Sequence, residues 1–477
     1  MKKILFAFMA MVLTFICRAQ ENTREEQLDH IFAMLHKQNQ FNGAVLIAEK
    51  GKVIFEKGYG YSNEDNRRHN NEQTIFELAS CSKQFTAAAI VLLKRQGKLR
   101  YEDKVSRYLP ELGFWDQVTI SDLLRHTSGL PNDYISQLGR DWDRTRIAGN
   151  NDVIRYYEGR KDSLRFAPGS RHEYNNNNYV LLASIIERVS GMSYGDFLAR
   201  NIFRPLDMKR TFVYNRREHP RNIPNYATGY IWNKNTLSKT TSEASRFHDS
   251  TAYFLDGIVG AAKVNSSVED IYKWMVALKQ NKLFTQAEFD EMTAVSQTAG
   301  GENVPYGFGL NLSKGDGKFS FGHTGNWDGY VSFISQNMIK DRTIIILQNL
   351  HTGLFPFNNI NQVLDGKPLE PRYREKISLP EESIKKYTGV YTDGQNENEA
   401  HLITYHDGHL FYNASNGEYD MRFFPVAANE FQALRSNGAD GLMRFTAIAG
   451  GALQLEMLQD GERVGSGIRK KDNDGKL

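Results

Sequence analysis

The hydrophobic pattern along the chain switches between the period of strands and the period of helices, and the switches outline an architecture. Residues 41–60 read as a β-hairpin, with Ala44-Val45-Leu46-Ile47-Ala48 and Val53-Ile54-Phe55 flanking the turn pair Lys50-Gly51. The run Gln84-Phe85-Thr86-Ala87-Ala88-Ala89-Ile90-Val91-Leu92-Leu93 predicts a helix from Ser80 to about Gln96, closed by Gly97. Thr119, with Asp122 three residues on, has the form of a capping box and predicts a short helix as far as Leu124. Residues 150–215 read as helices with loops, the clearest being 180–188, and Ser267 opens a further helix ending near Leu278. After Tyr306 the pattern turns to strands at 319–323, 329–336 and 343–349, the last apolar enough for a central strand.

A hairpin first, helices in the middle and strands at the end predict one antiparallel sheet assembled from both ends of a domain. That is an α+β fold, the sheet flanked by helices and carrying a helical insert. Pro368, Pro371 and Pro380 among mixed charges mark 365–380 as a linker. Beyond it, alternating segments at 401–405, 409–412, 421–425, 442–447 and 453–458 predict a small all-β barrel or sandwich over 381–477.

Length fits this division, because 477 residues exceed one ordinary domain. Lys2-Lys3, an apolar stretch over 4–17 and then Arg18-Ala19 have the form of a secretory signal, giving 1–19 as a removed segment and 20–364 as the large domain. The expected location is the periplasm or the outside. Cys17 offers a lipoprotein alternative, which the bulky Phe15-Ile16 before it disfavours. No other long apolar run exists, so no transmembrane segment is expected in the mature chain. Basic residues number 59 against 56 acidic, and loss of Lys2, Lys3 and Arg18 brings the two into balance. No basic tract points to nucleic acid or an anionic membrane. Cys81 is the one cysteine beyond Cys17, so the exported chain rests on its core without an internal disulfide, with Cys81 itself a packing residue. The histidines form no H-x-H or H-E-x-x-H cluster, and no metal or cofactor is expected. A monomer is expected.

The candidate chemistry begins at Ser80-Cys81-Ser82-Lys83. Serine and lysine one helical turn apart share a face, and a partly desolvated lysine can take the hydroxyl proton. The same spacing recurs at Ser383 and Lys386, in a charged stretch that reads as a solvated helix turn. What distinguishes Ser80 is its company: Tyr174-Asn175-Asn176 and, later, His323-Thr324-Gly325 at a strand end.

The order S-x-x-K, Y-x-N, H-T-G resembles the serine β-lactamase and penicillin-recognising enzyme superfamily. His126-Thr127-Ser128-Gly129-Leu130-Pro131 and Tyr306-Gly307-Phe308-Gly309 add to the resemblance, which points to the class C β-lactamase-related branch and covers roughly 30–355. It implies an acyl-enzyme on Ser80, with Lys83 and Tyr174 sharing the proton work. Asn176 would hold Lys83 and donate to a substrate carbonyl. His323, Thr324 and Gly325 would lie on the substrate side, Gly325 leaving room for substrate along the strand edge. The backbone N–H groups of Ser80 and Asn326 would form the oxyanion hole. His126 and Asp328 are expected to be structural, the latter a turn residue.

Class C β-lactamases typically carry lysine where this chain has His323, a fixed cation replaced by a mostly neutral ring. The H-T-G form resembles DD-carboxypeptidases and esterase or D-aminopeptidase relatives. The expected substrates are therefore a cell-wall peptide, an amide or an ester, with slow acylation by β-lactams. A true β-lactamase and a non-catalytic penicillin- or peptidoglycan-binding protein are the alternatives. The C-terminal domain, opening with Tyr387-Thr388-Gly389-Val390-Tyr391, resembles lipocalin-like appendages.

Overall fold

The computed structural model describes residues 23–233, 238–351, 355–369, 374–393, 396–414, 421–434, 440–459 and 461–469. The proposed signal segment and Pro371 of the expected linker lie outside them. The chain divides into two compact units, Gln38–Phe355 and the remainder.

In the larger unit the expected sheet is present. Its strands are β1 (Gly43–Glu49), β2 (Lys52–Tyr59), β3 (Asn311–Gly315), β4 (Lys318–Trp327), β5 (Tyr330–Asn337) and β6 (Arg342–Gln348), in the order β3-β4-β5-β6-β1-β2. All neighbours are antiparallel. The two ends of the unit meet where β1 pairs with β6, from Gly43 opposite Gln348 to Glu49 opposite Arg342. Both strands are buried along almost their whole length, which accounts for their unbroken apolar runs.

Helices pack on this sheet and make up the insert. Arg24–Lys37 (α1) belongs to the smaller unit. In the larger one, α2 (Lys83–Arg95) follows a 3-10 turn over Ala79–Ser82, α3 (Ile120–Arg125) has the expected Thr119 capping box, and α4 (Tyr134–Asp141) starts at an Asp133 cap. The helices α5 (Asn150–Arg160), α6 (Asn177–Ser190) and α7 (Val268–Lys279) follow, the last capped by Ser267. The helix α2 is buried from Lys83 to Leu93 and packs against α6. Each of its Phe, Ile, Val and Leu side chains contributes roughly 1.5–3 kcal/mol by burial, so the chemistry stands on one of the most firmly fixed segments.

In the smaller unit, α1 packs with a helix over Phe357–Leu364. The barrel-or-sandwich alternative resolves to a closed barrel of eight consecutive antiparallel strands, from Gly389–Asp393 to Glu462–Arg469. Its interior is filled by Tyr391, Phe423, Phe431, Met443 and Phe445, the size at which side chains close the lumen of an eight-stranded barrel. The short helix Glu381–Lys385, which carries Ser383 of the second S-x-x-K with Lys386 as its C-cap, precedes it. Part of the expected linker is fastened to the barrel, since Ile377 donates its N–H to the Pro425 carbonyl at 2.9 Å.

Candidate active site

The backbone turns sharply just before the candidate nucleophile. Ala79 sits at φ 49°, a left-handed conformation that alanine adopts at a cost of roughly 1–2 kcal/mol. Ser80 follows in the 3-10 turn, two residues ahead of Ser82, the capping position of α2. Lys83, on the first turn of α2, brings its Nζ to 3.0 Å from Ser80 Oγ. The Ala261 carbonyl accepts a second bond from Nζ at 2.9 Å. Lys83 is fully buried, and no salt bridge to it occurs among the described residues. Burial therefore pushes its pKa down to about 7, with Asp133 and Cys81 opposing only weakly. Close to half of the population is then a neutral amine at pH 7.

Tyr174 approaches the same serine. Its ring lies over Lys83 Nζ, 5.0 Å from ring centre to nitrogen. The residue is 42% exposed, yet its hydroxyl end is enclosed, and burial raises the phenol pKa against the lowering effect of a hydrogen bond with Ser80. Tyr174 is a protonated phenol at neutral pH.

Asn176 is placed differently from the expectation. Its Nδ2 and its backbone N–H both donate to Asp133 Oδ2, at 2.7 and 3.0 Å. Lys83 is held by the Ala261 carbonyl instead, while the amide N–H₂ of Asn176 is turned to Asp133, the cap of α4. The following asparagines are equally committed. Asn175 Nδ2 donates to the Pro131 carbonyl at 2.7 Å, and Asn177 Oδ1 accepts the N–H of Tyr134 at 2.9 Å. The Asn175–Asn178 run thus ties the start of α6 to the loop over 128–134.

On strand β4 side chains alternate, and this decides the H-T-G segment. His323 points inward and is 5% exposed. Its Nδ1 donates to the Thr324 carbonyl at 2.5 Å, so the ring is the Nδ1–H tautomer and Nε2 accepts the Tyr306 hydroxyl at 2.9 Å. Burial, with Lys83 nearby, lowers its pKa to about 3. The ring is neutral, and both nitrogens are used inside the protein. Thr324 points outward. Gly325 does not make room for substrate: a Cβ there would stand 2.3 Å from the Leu78 carbonyl oxygen and 2.4 Å from Ser332 Oγ. The space is taken by the backbone of the nucleophile's own turn, so the glycine lets β4 and that turn touch. Gly309 serves the next turn in the same way, at φ 68° with its missing Cβ 2.5 Å from the Lys83 carbonyl oxygen.

Asn326 is brought beside Ser80. The strands β4 and β5 are joined by the two-residue turn Asp328-Gly329, at φ 57° and 87°. The closing pair Trp327–Tyr330 is then the hydrogen-bonded one, and Asn326 opposite Val331 is not. The Asn326 N–H accordingly faces away from β5, and β3 reaches only to the partner of Gly322.

A cavity of about 80 Å³ opens on this group, with Ser80, Asn176 and Asn326 in its wall. Tyr134, Ile135, Leu255, Ile258 and Trp327 make most of the rest apolar. Among the described lining residues the single charged group is Lys263, which is 2% exposed and bonded to Asp256 at 2.8 Å, with Glu77 at 3.6 Å. Behind it lies a buried ionic cluster that sequence reasoning missed. Asp328 is a turn residue as expected, but its carboxylate also accepts Arg217 Nη1 at 2.7 Å and Nη2 at 2.9 Å, the Ser242 hydroxyl, and an Arg216 contact at 2.6 Å. Burial raises its pKa, and the two guanidiniums outweigh burial and hold it below the usual range. Cys81 is buried as a packing residue, its thiol pushed up to about 12 by desolvation.

Asp133, Ala261 and Tyr306 are the further residues that set this site. Tyr306 stood in a quoted motif and Asp133 at a capping position, so both had a local signal; the Ala261 carbonyl had none.

Comparisons with known proteins identify the family and the fold. The family model described as Beta-lactamase matches residues 28–365. Penicillin-binding protein 4* of Bacillus subtilis (strain 168) is 34% identical over 421 residues, covering 86% of this chain and 92% of the relative. Protein flp of Staphylococcus aureus (strain MW2) is 30% identical, over 70% of this chain and 65% of its own. Among solved structures, D-amino acid amidase from Ochrobactrum anthropi SV3 aligns with TM-score 0.54 and 25% identity over 68% of this chain and 92% of its own. The octameric penicillin-binding protein homologue from Pyrococcus abyssi shares the fold across 93% of this chain and 99% of its own, with TM-score 0.62 and 24% identity. The chain belongs to the beta-lactamase family.

Proposed function

We propose that the protein is a serine hydrolase that forms an acyl-enzyme on Ser80 from amides or esters whose leaving group carries no carboxylate. The observation that carries this reading is the cavity at Ser80. Ser80 in its wall meets a partly neutral Lys83 beneath apolar side chains, and the one charged group among the described lining residues, Lys263, is neutralised by Asp256 and Glu77. With His323 neutral and turned inward, no charged group among the described lining residues is free to pair with a substrate carboxylate. That argues for an amidase or esterase over a DD-carboxypeptidase or an efficient β-lactamase, whose substrates carry one.

In the proposed cycle, neutral Lys83 takes the Ser80 proton as Oγ attacks the carbonyl. The Asn326 and Ser80 N–H groups receive the oxyanion. The phenol of Tyr174 donates to the leaving nitrogen or oxygen and is reprotonated from Lys83. Water then cleaves the ester, with the same pair returning the proton to Ser80. A second reading, slow acylation by penicillins, is favoured by the 34% identity to a relative named as a penicillin-binding protein.

The test incubates residues 20–477 and its Ser80→Ala variant with D-phenylalanine amide, a p-nitrophenyl ester, a D-alanyl-D-alanine peptide and a fluorescent penicillin, following product release and intact mass. Amide or ester turnover well above peptide turnover, absent in Ser80→Ala, supports the main reading. A persistent penicillin adduct with neither amide nor ester turnover would move the assignment to a penicillin-binding protein. Export through the segment 1–19 and a monomeric state complete the proposal. Mass spectrometry of the secreted N-terminus and sedimentation test them.

A further inference from the structure

We propose that His126 is a positioning residue for Tyr174, bracketing the tyrosine through the backbone N–H groups of the residues before and after it and the face of its ring. The inference rests on the reading of Tyr174 as the proton shuttle.

The observations converge on one side chain. The carbonyl of His126 accepts the N–H of Glu173 at 2.9 Å. Its Nδ1 accepts the N–H of Asn175 at 3.2 Å. Its ring lies 4.4 Å from the ring of Tyr174, tilted by 38°. The residues before and after the tyrosine and the tyrosine ring itself are thus all fixed by one residue. The N–H groups of the residues on either side of the tyrosine point at one residue and fix the backbone direction through position 174, and with it the line along which the phenol approaches Ser80 and Lys83.

The state of the imidazole follows from its partners. Asn178 Nδ2 also donates to Nδ1, at 2.8 Å, and its own orientation is set because its Oδ1 accepts the Ser128 hydroxyl at 2.6 Å. Two donors converge on Nδ1, so the ring proton is on Nε2. That Nε2 is buried with no hydrogen-bond partner. A side chain placed only to fill space would avoid burying an unpaired N–H, which costs about 1–3 kcal/mol. Leucine would fill the volume without it. The compensating feature is the Nδ1 acceptor, and that acceptor serves the Tyr174 loop.

Local backbone adds a second strain. His126 ends α3 in the left-handed region, at φ 57°, where glycine or asparagine is the usual choice. The turn swings its carbonyl and ring together toward residues 173–175. Lys83, His172 and His323 surround the ring, and with burial they keep it neutral. Tyr306 and Tyr179 close the cluster, at 4.7 and 5.2 Å between ring centres.

The test compares His126→Leu, which keeps volume and loses the acceptor, with His126→Asn, which keeps an acceptor and tolerates the left-handed turn. His126→Gly serves as a second acceptor-less variant where leucine does not fold. Each is made alone and with Tyr174→Phe, and each is read by p-nitrophenyl ester kinetics and by hydrogen exchange of the 173–175 segment. Loss of the acceptor is expected to lower kcat on the order of 10²-fold with KM nearly unchanged, the scale of a misplaced group. His126→Asn recovers most of this, and in the Tyr174→Phe background the extra loss nearly vanishes. Exchange at 173–175 quickens in His126→Leu and not in His126→Asn. Equal losses with and without Tyr174 would overturn the proposal, as would a slow His126→Asn whose exchange is unchanged. If the wild type hydrolyses no ester, the Ser80 reading is at fault and exchange alone decides: protection unchanged in His126→Leu overturns the bracket, and lost protection sustains it.

Discussion

Two lysines are buried near the nucleophile, Lys83 bonded to Ser80 and Lys263 in the wall of the cavity on which Ser80 opens, and the protein treats them in opposite ways. Lys83 and Lys263 are 0% and 2% exposed, so both carry the full penalty of desolvation. Lys83 has a serine hydroxyl and a carbonyl for partners, and its pKa falls to about 7. For Lys263 burial also pulls downward, but Glu77, Asp256 and Asp328 together outweigh it, and the pKa rises. The two sites are joined by a short piece of chain, since the carbonyl that holds Lys83 belongs to Ala261. Burial alone does not make a lysine reactive. Burial without a carboxylate does, and burial with two makes a structural cation.

The comparison predicts a double dissociation, and its largest arm is catalytic. Lys83→Met should lower the acylation rate of Ser80 by about 10²–10⁴-fold, the usual contribution of a general base, measured by single-turnover mass spectrometry. The same variant should be more stable than wild type at pH 7. A lysine whose folded pKa lies below its unfolded value opposes folding wherever the unfolded chain is protonated, and that opposition fades as pH climbs from about 7 toward 10. A rise in Tm alongside lost activity is the expected pair of readings.

The structural lysine should behave in reverse. Lys263→Met takes one cation from Asp256 and Glu77, which keep Arg217 and Arg216 at 3.4 Å, and breaking a buried pair costs up to about 3–5 kcal/mol. Thermal unfolding should show the loss, while folded protein keeps kcat within about tenfold of wild type, because Lys263 lends the cavity its stem and not its charge. Its folded pKa is raised, so the stability it contributes is complete below the unfolded lysine value and is lost as pH rises through the folded one. Asp328→Asn should cost a similar amount through Arg216 and Arg217, with its contribution present above the unfolded carboxylate value and lost as pH falls.

The smallest effect concerns Cys81, which stands inside the nucleophile motif. Its thiol is pushed up to about 12 and its sulfur lies 3.2 Å from the His323 carbonyl oxygen. Iodoacetamide at pH 8 should leave the native protein unlabelled and active, and Cys81→Ala should cost about 1 kcal/mol of stability with kcat unchanged.

Local pattern carried the fold further than it carried the site. The hairpin β1–β2, the helix α2 with Gly97 beyond its end, the Thr119 and Ser267 caps and the central strand β6 each follow from signals within a few residues. Three barrel strands, Gly389–Asp393, Glu430–Leu434 and Glu462–Arg469, were missed, because glycines, charges and short length blur a period-2 pattern. At the site, the approach of Lys83 to Ser80 followed from helical spacing, whereas the surroundings of each group did not. Asp133 takes the amide N–H₂ of Asn176, the turn at Leu78 fills the space at Gly325, and Tyr306 captures His323. Each is a contact between segments distant in sequence, which no spacing rule encodes. The Asp328 cluster joins five such segments and was invisible for the same reason.

The central claim is that Lys83 works as a neutral amine because it is buried without a carboxylate. The measurement that bears on it most directly is the pH dependence of Ser80 acylation by a neutral ester, between pH 5 and 10, in wild type and in Lys83→Met. The account predicts a wild-type rate that falls about tenfold per unit below an apparent pKa near 7, and a residual rate in Lys83→Met without that limb. A wild-type limb near 10, or one near 7 that persists after Lys83 is replaced, would contradict it.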